Sequence, residues 1–310
     1  TGVFSEEKAD GMFANIDFEE SDNVSIRSRQ GTEFPMDKFS AVADDVRNRL
    51  RPGTQNHGEF LVLRDGVVLP RQEGNGIMNS VISGGDFATN ERPVFMIWDQ
   101  IPLSCVVPKG KYKVPYGLRF DDINTQLLSW PGDSVCMIPT KIVYSLAEAK
   151  VHAVEFMKAG KEGSVVKHPE AIWTDSTSKE QVKIKLEFEV DLEIYAINPG
   201  GVGTKNEGRA GAFACRSSDD MLRVDVTVKN EKLRDRVDAN PEEFVGRIIP
   251  VTANDIMAPS ESNELYSLFL PRMAEDSYRL DKLVADDLSR IEAAKHAAIF
   301  GEEALKEVGA

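Results

Sequence analysis

A lysine stands in Lys8-Ala9-Asp10-Gly11, two residues after Glu6 and between two strand-like runs at 3–4 and 12–18. A lysine held between strands, beside a glycine that lets a ligand approach the backbone, can be a covalent nucleophile. The same four residues also describe an ordinary surface lysine before a turn, and three specified positions do not decide between the two. Further candidates recur at strand ends. Arg29 lies in Ser-Arg-Gln-Gly and Glu59 in Gly-Glu-Phe, while Trp98 precedes Asp99. Glu162 and Lys167 bracket Glu-Gly-Ser-Val-Val-Lys. Lys183 and Lys185 form Lys-Ile-Lys, and Arg279 and Lys282 close the series in Arg-Leu-Asp-Lys. In an extended strand Lys183 and Lys185 point to one face, so both can reach one phosphate. Taken singly, Arg29 reads as a solvated cation, Trp98 as core, and Glu59 and Glu162 as strand-end charges.

The elements that would position these residues follow from pattern and punctuation. Strands are expected at 12–18, 24–27, 59–64, 67–69, 94–99, 135–138, 162–167 and 181–198. Asp65-Gly66 is a hairpin turn. Asp37 is expected to cap a helix running to Leu50, with Phe39, Val42, Ala43, Val46 and Leu50 on one face. Glycine and asparagine mark 70–88 as an irregular loop with room for a short helix. Ser145 caps a second helix that Gly160 ends. After Pro199 come short strand patterns at 212–216, 222–229, 245–253 and 265–270, as in a small β-barrel. The stretch 281–308 is helical by composition. The expected fold class is α+β, with antiparallel sheets and helices over 1–192, a barrel over 193–285 and a helical tail over 286–310.

The chain has 310 residues, 41% of them hydrophobic and 28% charged, the balance of a soluble globular protein. No apolar run approaches the length of a membrane span, and no secretory signal opens the chain. Cys105, Cys136 and Cys215 are scattered, odd in number and form no Cys-x-x-Cys pair. Neither a zinc site nor a disulfide framework is indicated, and a reducing cytosol fits best. The net charge of −14 argues against a surface basic throughout. Nucleic acid stays open, because affinity follows the local patch facing the phosphates.

Taken in order, the series resembles the covalent nucleotidyltransferases, specifically the ATP-dependent DNA ligases, and most of all those of large tailed bacteriophages. The flanking texts Phe95-Met96-Ile97-Trp98-Asp99-Gln100-Ile101-Pro102-Leu103 and Phe188-Glu189-Val190-Asp191-Leu192-Glu193-Ile194, and the Gly74-Asn75-Gly76-Ile77 segment, are similar to the corresponding phage text. The resemblance runs from Lys8 to Lys282. It implies a nucleotidyltransferase (adenylation) domain followed by an OB-fold domain, with ATP and Mg²⁺ as cofactors. The implied partner is nicked duplex DNA, and the implied settings are replication, repair and recombination. A monomer in the cytoplasm, the host's if phage-encoded, is expected. Because Thr1 is not an initiator methionine, an upstream DNA-binding domain is expected as well.

The resemblance also implies roles. Lys8 attacks the α-phosphate of ATP and carries AMP, which passes to the 5′-phosphate of a nick before the 3′-hydroxyl displaces it. A free lysine, with a pKa of about 10.4, is a poor nucleophile near neutrality. Lys183, Lys185 and Mg²⁺ would favour the neutral amine and stabilise the phosphate in transit. Glu162 is the implied Mg²⁺ ligand. Glu59 serves the ribose or the metal, and Asp10 orients the ribose or the lysine. Trp98 stacks on adenine, with Val165 or Val166 closing the other face. Glu6 accepts from the adenine amino group, Arg29 binds the nick 5′-phosphate, and Arg279 and Lys282 orient the pyrophosphate. One departure stands out: where many ligases carry an arginine two residues after the glycine, this chain has Phe13. The rivals are an RNA ligase with the same lysyl-AMP chemistry and a non-catalytic nick-binding relative.

Overall fold

A computed structural model describes residues 2–129, 132–260 and 263–301. The chain divides into two compact units between Ile184 and Lys185. The first opens with β1 (Val3–Glu7), β2 (Met12–Phe18) and β3 (Val24–Ser28), then α1 (Ser40–Arg49). Next come β4 (Thr54–Arg64), β5 (Val67–Val68), α2 (Arg71–Ile82) and β6 (Glu91–Pro102). After β7 (Lys111–Tyr112), α3 (Tyr116–Ser129), β8 (Val135–Met137) and β9 (Thr140–Val143), α4 spans Leu146–Lys158. The unit ends with β10 (Gly163–Lys167), β11 (Trp173–Thr174) and β12 (Gln181–Lys185).

Two sheets organise this unit. The larger runs β3-β2-β4-β6-β8, with β5 paired to the end of β4. Alternation on β2 sends Ala14, Ile16 and Phe18 into the core and leaves Phe13, Asn15 and Asp17 on the other face. The smaller sheet runs β12-β10-β1-β9. Its β1 has neighbours on both edges and cover on both faces, so four of its five residues are buried. Ser5 faces α4, where His152 meets its hydroxyl at 2.9 Å. Phe4 faces the other way, edge-on to Tyr116 with ring centres 5.4 Å apart.

One local expectation fails and another is exceeded. Asp37 caps nothing: it sits in a 3-10 turn, and α1 starts after Phe39 without a side-chain cap. The glycine- and asparagine-rich stretch holds a three-turn helix, α2, after Pro70. Tertiary packing overrides its poor propensity, because Met78 and Val81 are fully buried against the core. The Asp65-Gly66 turn is a hairpin with positive φ at both residues, and Ser145 does cap α4, accepting from the Glu148 amide.

The second unit comprises β13 (Phe188–Pro199), β14 (Ala210–Arg216), β15 (Arg223–Thr227), α5 (Glu231–Ala239) and β16 (Ile248–Ala253). It continues through β17 (Asp255–Met257), β18 (Ser267–Phe269), β19 (Arg272–Met273) and α6 (Leu288–Phe300). The sheet order β15-β14-β13-β16-β19, with a helix between its third and fourth strands, is that of an OB-fold. Phe188, Val190, Leu192 and Ile194 line its core. The expected tail helix is shorter than 281–308, and its last residues, 302–310, lie outside the described ones. α6 packs on the barrel through Ile291, which is fully buried. Ile291→Ala should therefore cost about 2–4 kcal/mol in denaturant unfolding. An unchanged midpoint would mean that α6 is not part of the barrel's core.

Candidate active site

Lys8 is the first residue after β1, and its main chain is clamped on the smaller sheet. The Lys8 amide donates to the Gly163 carbonyl at 2.9 Å, and the Glu7 amide to the Pro139 carbonyl at 2.8 Å. The next residues fasten to the larger sheet. A side chain on Gly11 would stand 2.1 Å from the Phe60 carbonyl oxygen. The glycine is thus required for close approach to β4, where the sequence suggested room for a ligand. Lys8 consequently bridges the two sheets.

Carboxylates crowd its ammonium. Lys8 Nζ donates to Glu162 Oε2, and both side chains are only partly exposed. Asp10 is 3.1 Å from Arg71, the first residue of α2. Burial, followed by the neighbouring Glu162, raises the Asp10 pKa above its usual value. Glu59 projects from β4 opposite Phe13 of β2. Burial pushes its pKa to about 7; Lys8 opposes the shift, while Asp10 and Glu162 add to it. Among the described residues no three His, Cys, Asp or Glu side chains are placed to hold a metal ion by themselves. The oxygen donors Glu59 and Glu162 are of the kind that suits Mg²⁺, a hard cation that completes its shell with water and phosphate oxygens. The disfavoured charge on Asp10 and Glu59 is what a cation would relieve.

A groove of about 1170 Å³, lined by none of Lys8, Asp10, Glu59 or Glu162, adjoins them through Phe13, the cross-strand partner of Glu59. Its floor carries Phe13, Asn15, Gln55, His57 and Trp98 from β2, β4 and β6, and Lys183 stands at its border. Asn15 Oδ1 is buried there without a hydrogen-bond partner. Trp98 is half-buried, with Phe13 6.0 Å away centre to centre. The exposed Arg29 guanidinium lies 5.0 Å over the Phe13 ring. A cation therefore stacks on the aromatic ring that stands where an arginine was expected. A smaller cleft, about 420 Å³, joins Phe13, Arg29, Glu59 and Arg71.

Glu6 differs from its expected role. Its carboxylate is 2% exposed and is not among the groove-lining groups. Lys167 Nζ holds one oxygen at 2.7 Å, and the Tyr116 hydroxyl donates to the other. Lys167 also lies 4.5 Å over the Tyr116 ring and 5.6 Å from that of Trp98. The register explains the arrangement. Glu6 pairs with Val165 and Phe4 with Lys167, so these four share a face, whereas Val166 pairs with Ser5 on the α4 side. Val165, not Val166, therefore shares the groove-lining face of Lys167. Burial raises the Glu6 pKa, with Lys167 opposing. Sequence reasoning quoted Lys167 only as the end of a motif and missed Tyr116 as its partner. Period-two alternation from Val165 could have found the former; no local pattern marks the latter.

The paired lysines do not act alike. Lys183 is exposed at the groove, while Lys185 donates to Asn254 Oδ1 at 3.3 Å. In the second unit Arg279 forks onto Asp281 and contacts Asp191 at 3.2 Å, and Lys282 reaches Asp191 at 2.7 Å.

Two outcomes follow from these charges. Since the folded-state pKa of Glu59 lies above its usual 4.5, its penalty is absent below 4.5, grows as pH rises to about 7 and is constant above that. Without metal, Glu59→Gln should be more stable than the wild type at pH 8, by on the order of 2–3 kcal/mol, and no more stable at pH 4. A pH-independent difference in melting would contradict this. Lys167→Ala should cost about 3–5 kcal/mol by stranding the buried Glu6 carboxylate, and adding Glu6→Gln should recover part of the loss. Additive losses in denaturant unfolding would contradict the pairing.

Residues 1–185 match the ATP-dependent DNA ligase domain. The DNA ligases of Enterobacteria phages T4 and T6 are each 26% identical over 322 residues, covering 88% of this chain and 64% of their own length. The chain thus spans a little under two thirds of these curated relatives. Among solved structures, one called Pmar-Lig_Pre superposes with a TM-score of 0.73 at 18% identity, covering 91% of this chain and 64% of its own. A Lig E DNA ligase gives 0.64 at 17%, covering 89% and 92%. At such identities the likeness concerns the fold alone. The family match over more than half of the chain, joined to a lysine bridging two sheets amid carboxylates, places this protein in the ATP-dependent DNA ligase family.

Proposed function

We propose that this chain is the catalytic portion of an enzyme that seals 5′-phosphate/3′-hydroxyl nicks in duplex DNA through a lysyl-AMP intermediate. The observation that carries the reading is Lys8, fixed by its backbone between the two sheets with its amine among Glu162, Asp10 and Glu59. In the first step the unprotonated Lys8 amine attacks the α-phosphorus of ATP. A nitrogen–phosphorus bond forms, the bond to the bridging oxygen breaks, and pyrophosphate leaves. An oxygen of the nick 5′-phosphate then takes the AMP phosphorus and frees the lysine. Finally the 3′-hydroxyl oxygen attacks the 5′-phosphate, losing its proton, and AMP departs.

The residues suit these demands. Glu162 and Glu59 would hold Mg²⁺, which when bound would supply positive charge to the phosphates and disfavour the ammonium form of nearby lysines, and Asp10 would orient the ribose or the lysine. Trp98, partly exposed over the groove, offers its ring face to adenine, and Val165 lies on the facing sheet. Glu6 acts on the base side through Lys167 and Tyr116, whose cation and hydroxyl it holds in place. Lys183 addresses the phosphate directly, and Lys185 joins it by exchanging its Asn254 contact. Arg29, stacked on Phe13, takes the nick phosphate. Arg279 and Lys282 orient the pyrophosphate.

Incubation with Mg²⁺ and α-labelled ATP should yield an acid-labile AMP adduct, and Lys8→Ala should lower it by about a thousand-fold or more, to background. An adduct that survives the substitution would overturn the assignment. Nicked duplex DNA should be sealed faster than RNA ends. Faster sealing of RNA would favour an RNA ligase, and adenylation without sealing of either would leave a nick-binding relative.

A further inference from the structure

Asp191 lies on β13 between Val190 and Leu192, both of which enter the barrel core. Alternation sends its side chain to the opposite face, where a carboxylate ordinarily meets water. Asp191 is nevertheless only 8% exposed. It is covered by the stretch 279–286, whose main chain is already anchored. The Arg279 amide donates to the Ile248 carbonyl at 2.7 Å, and the Asp286 amide to the Asp191 carbonyl at 2.8 Å. Asp286 Oδ2 in turn accepts from the Asp191 amide at 2.8 Å. The Asp191 carboxylate is spent on two cations: Arg279 at 3.2 Å and Lys282 at 2.7 Å. Asp281 grips the rest of the guanidinium at 2.8 and 2.6 Å, and Asp286 grips Lys282 at 2.8 Å. Both cations keep part of their surface in solvent, 32% for Arg279 and 23% for Lys282.

One carboxylate thus sets the origin from which two long side chains project their remaining donors. Flexible cations ordinarily lose conformational freedom on meeting an anion; here much of that cost is met before the ligand arrives. We propose that Asp191 is a positioning residue for the leaving group: it gathers Arg279 and Lys282 at one point so that they act together on the pyrophosphate of ATP. The inference rests on the reading above, in which these two cations serve the first step. The bond changes are those of that step. The bridging oxygen leaves the α-phosphorus with its electron pair, and the two cations stabilise the charge it acquires.

The test compares the wild type with Asp191→Asn in single-turnover formation of the AMP adduct. The variant should adenylate about 10–100-fold more slowly, the scale expected when catalytic groups are misplaced by about an ångström. AMP, which lacks the leaving group, should raise the melting temperature of both proteins equally. Arg279→Ala combined with Asp191→Asn should be no slower than Arg279→Ala alone, because the two act as a unit. If the asparagine variant does not fold, Asp191→Glu keeps the charge and moves it by one methylene, and should show the same selective slowing. Wild-type adenylation by a folded variant, or a fully additive double variant, would overturn the inference while leaving the ligase reading intact. Failure of the wild type to form any adduct would overturn both.

Discussion

The site depends on one electrostatic imbalance: three carboxylates, Glu162, Asp10 and Glu59, set against two cations, Lys8 and Arg71. Lys8 donates to Glu162, while Asp10 and Glu59 stand near enough to that pair for each to resist ionisation. Such an arrangement is costly in a folded chain unless a further cation shares it. The fold meets the geometric demand by tying the lysine backbone to Gly163 on one sheet and pressing Gly11 on Phe60 of the other. Neither sheet alone could place the four groups together.

A second buried charge pair supports the first from behind. Glu6, Lys167 and Tyr116 form a closed network on the strand that delivers Lys8. Because Glu6 is two residues from Lys8, it shares that strand's rigid register, and its partner Lys167 sits close to the ring of Trp98. The base side and the phosphate side of the site are thus linked through one strand and its neighbour, β10. A similar economy holds in the barrel, where Asp191 engages both cations of the Arg-Leu-Asp-Lys text.

Much of this was legible in the sequence because the chemistry-bearing residues stand at strand ends in a fixed order. Lys8, Glu162, Asp10 and Glu59 stand together, while Trp98 lines the neighbouring groove. The strand at 12–18 was legible, but which of its residues enter the core (Ile16, Phe18) and which line the groove (Phe13) comes from the structure. What sequence could not supply was partnership across the fold. Nothing near Glu6 shows that Lys167 and Tyr116 consume its carboxylate, and nothing near Lys185 shows Asn254. The helix α2 was hidden for a different reason. Its glycines and asparagines argue against a helix locally, and only burial of Met78 and Val81 against the larger sheet outweighs them. Asp37 misled in the opposite sense, being a good capping residue one turn too early.

Site mapping of the AMP adduct by peptide mass spectrometry tests the central claim most directly. After incubation with ATP and Mg²⁺, the nucleotide should be found on the peptide containing Lys8, and on its side-chain nitrogen. Modification of Lys183 or Lys185 instead, with Lys8 unmodified, would contradict the account.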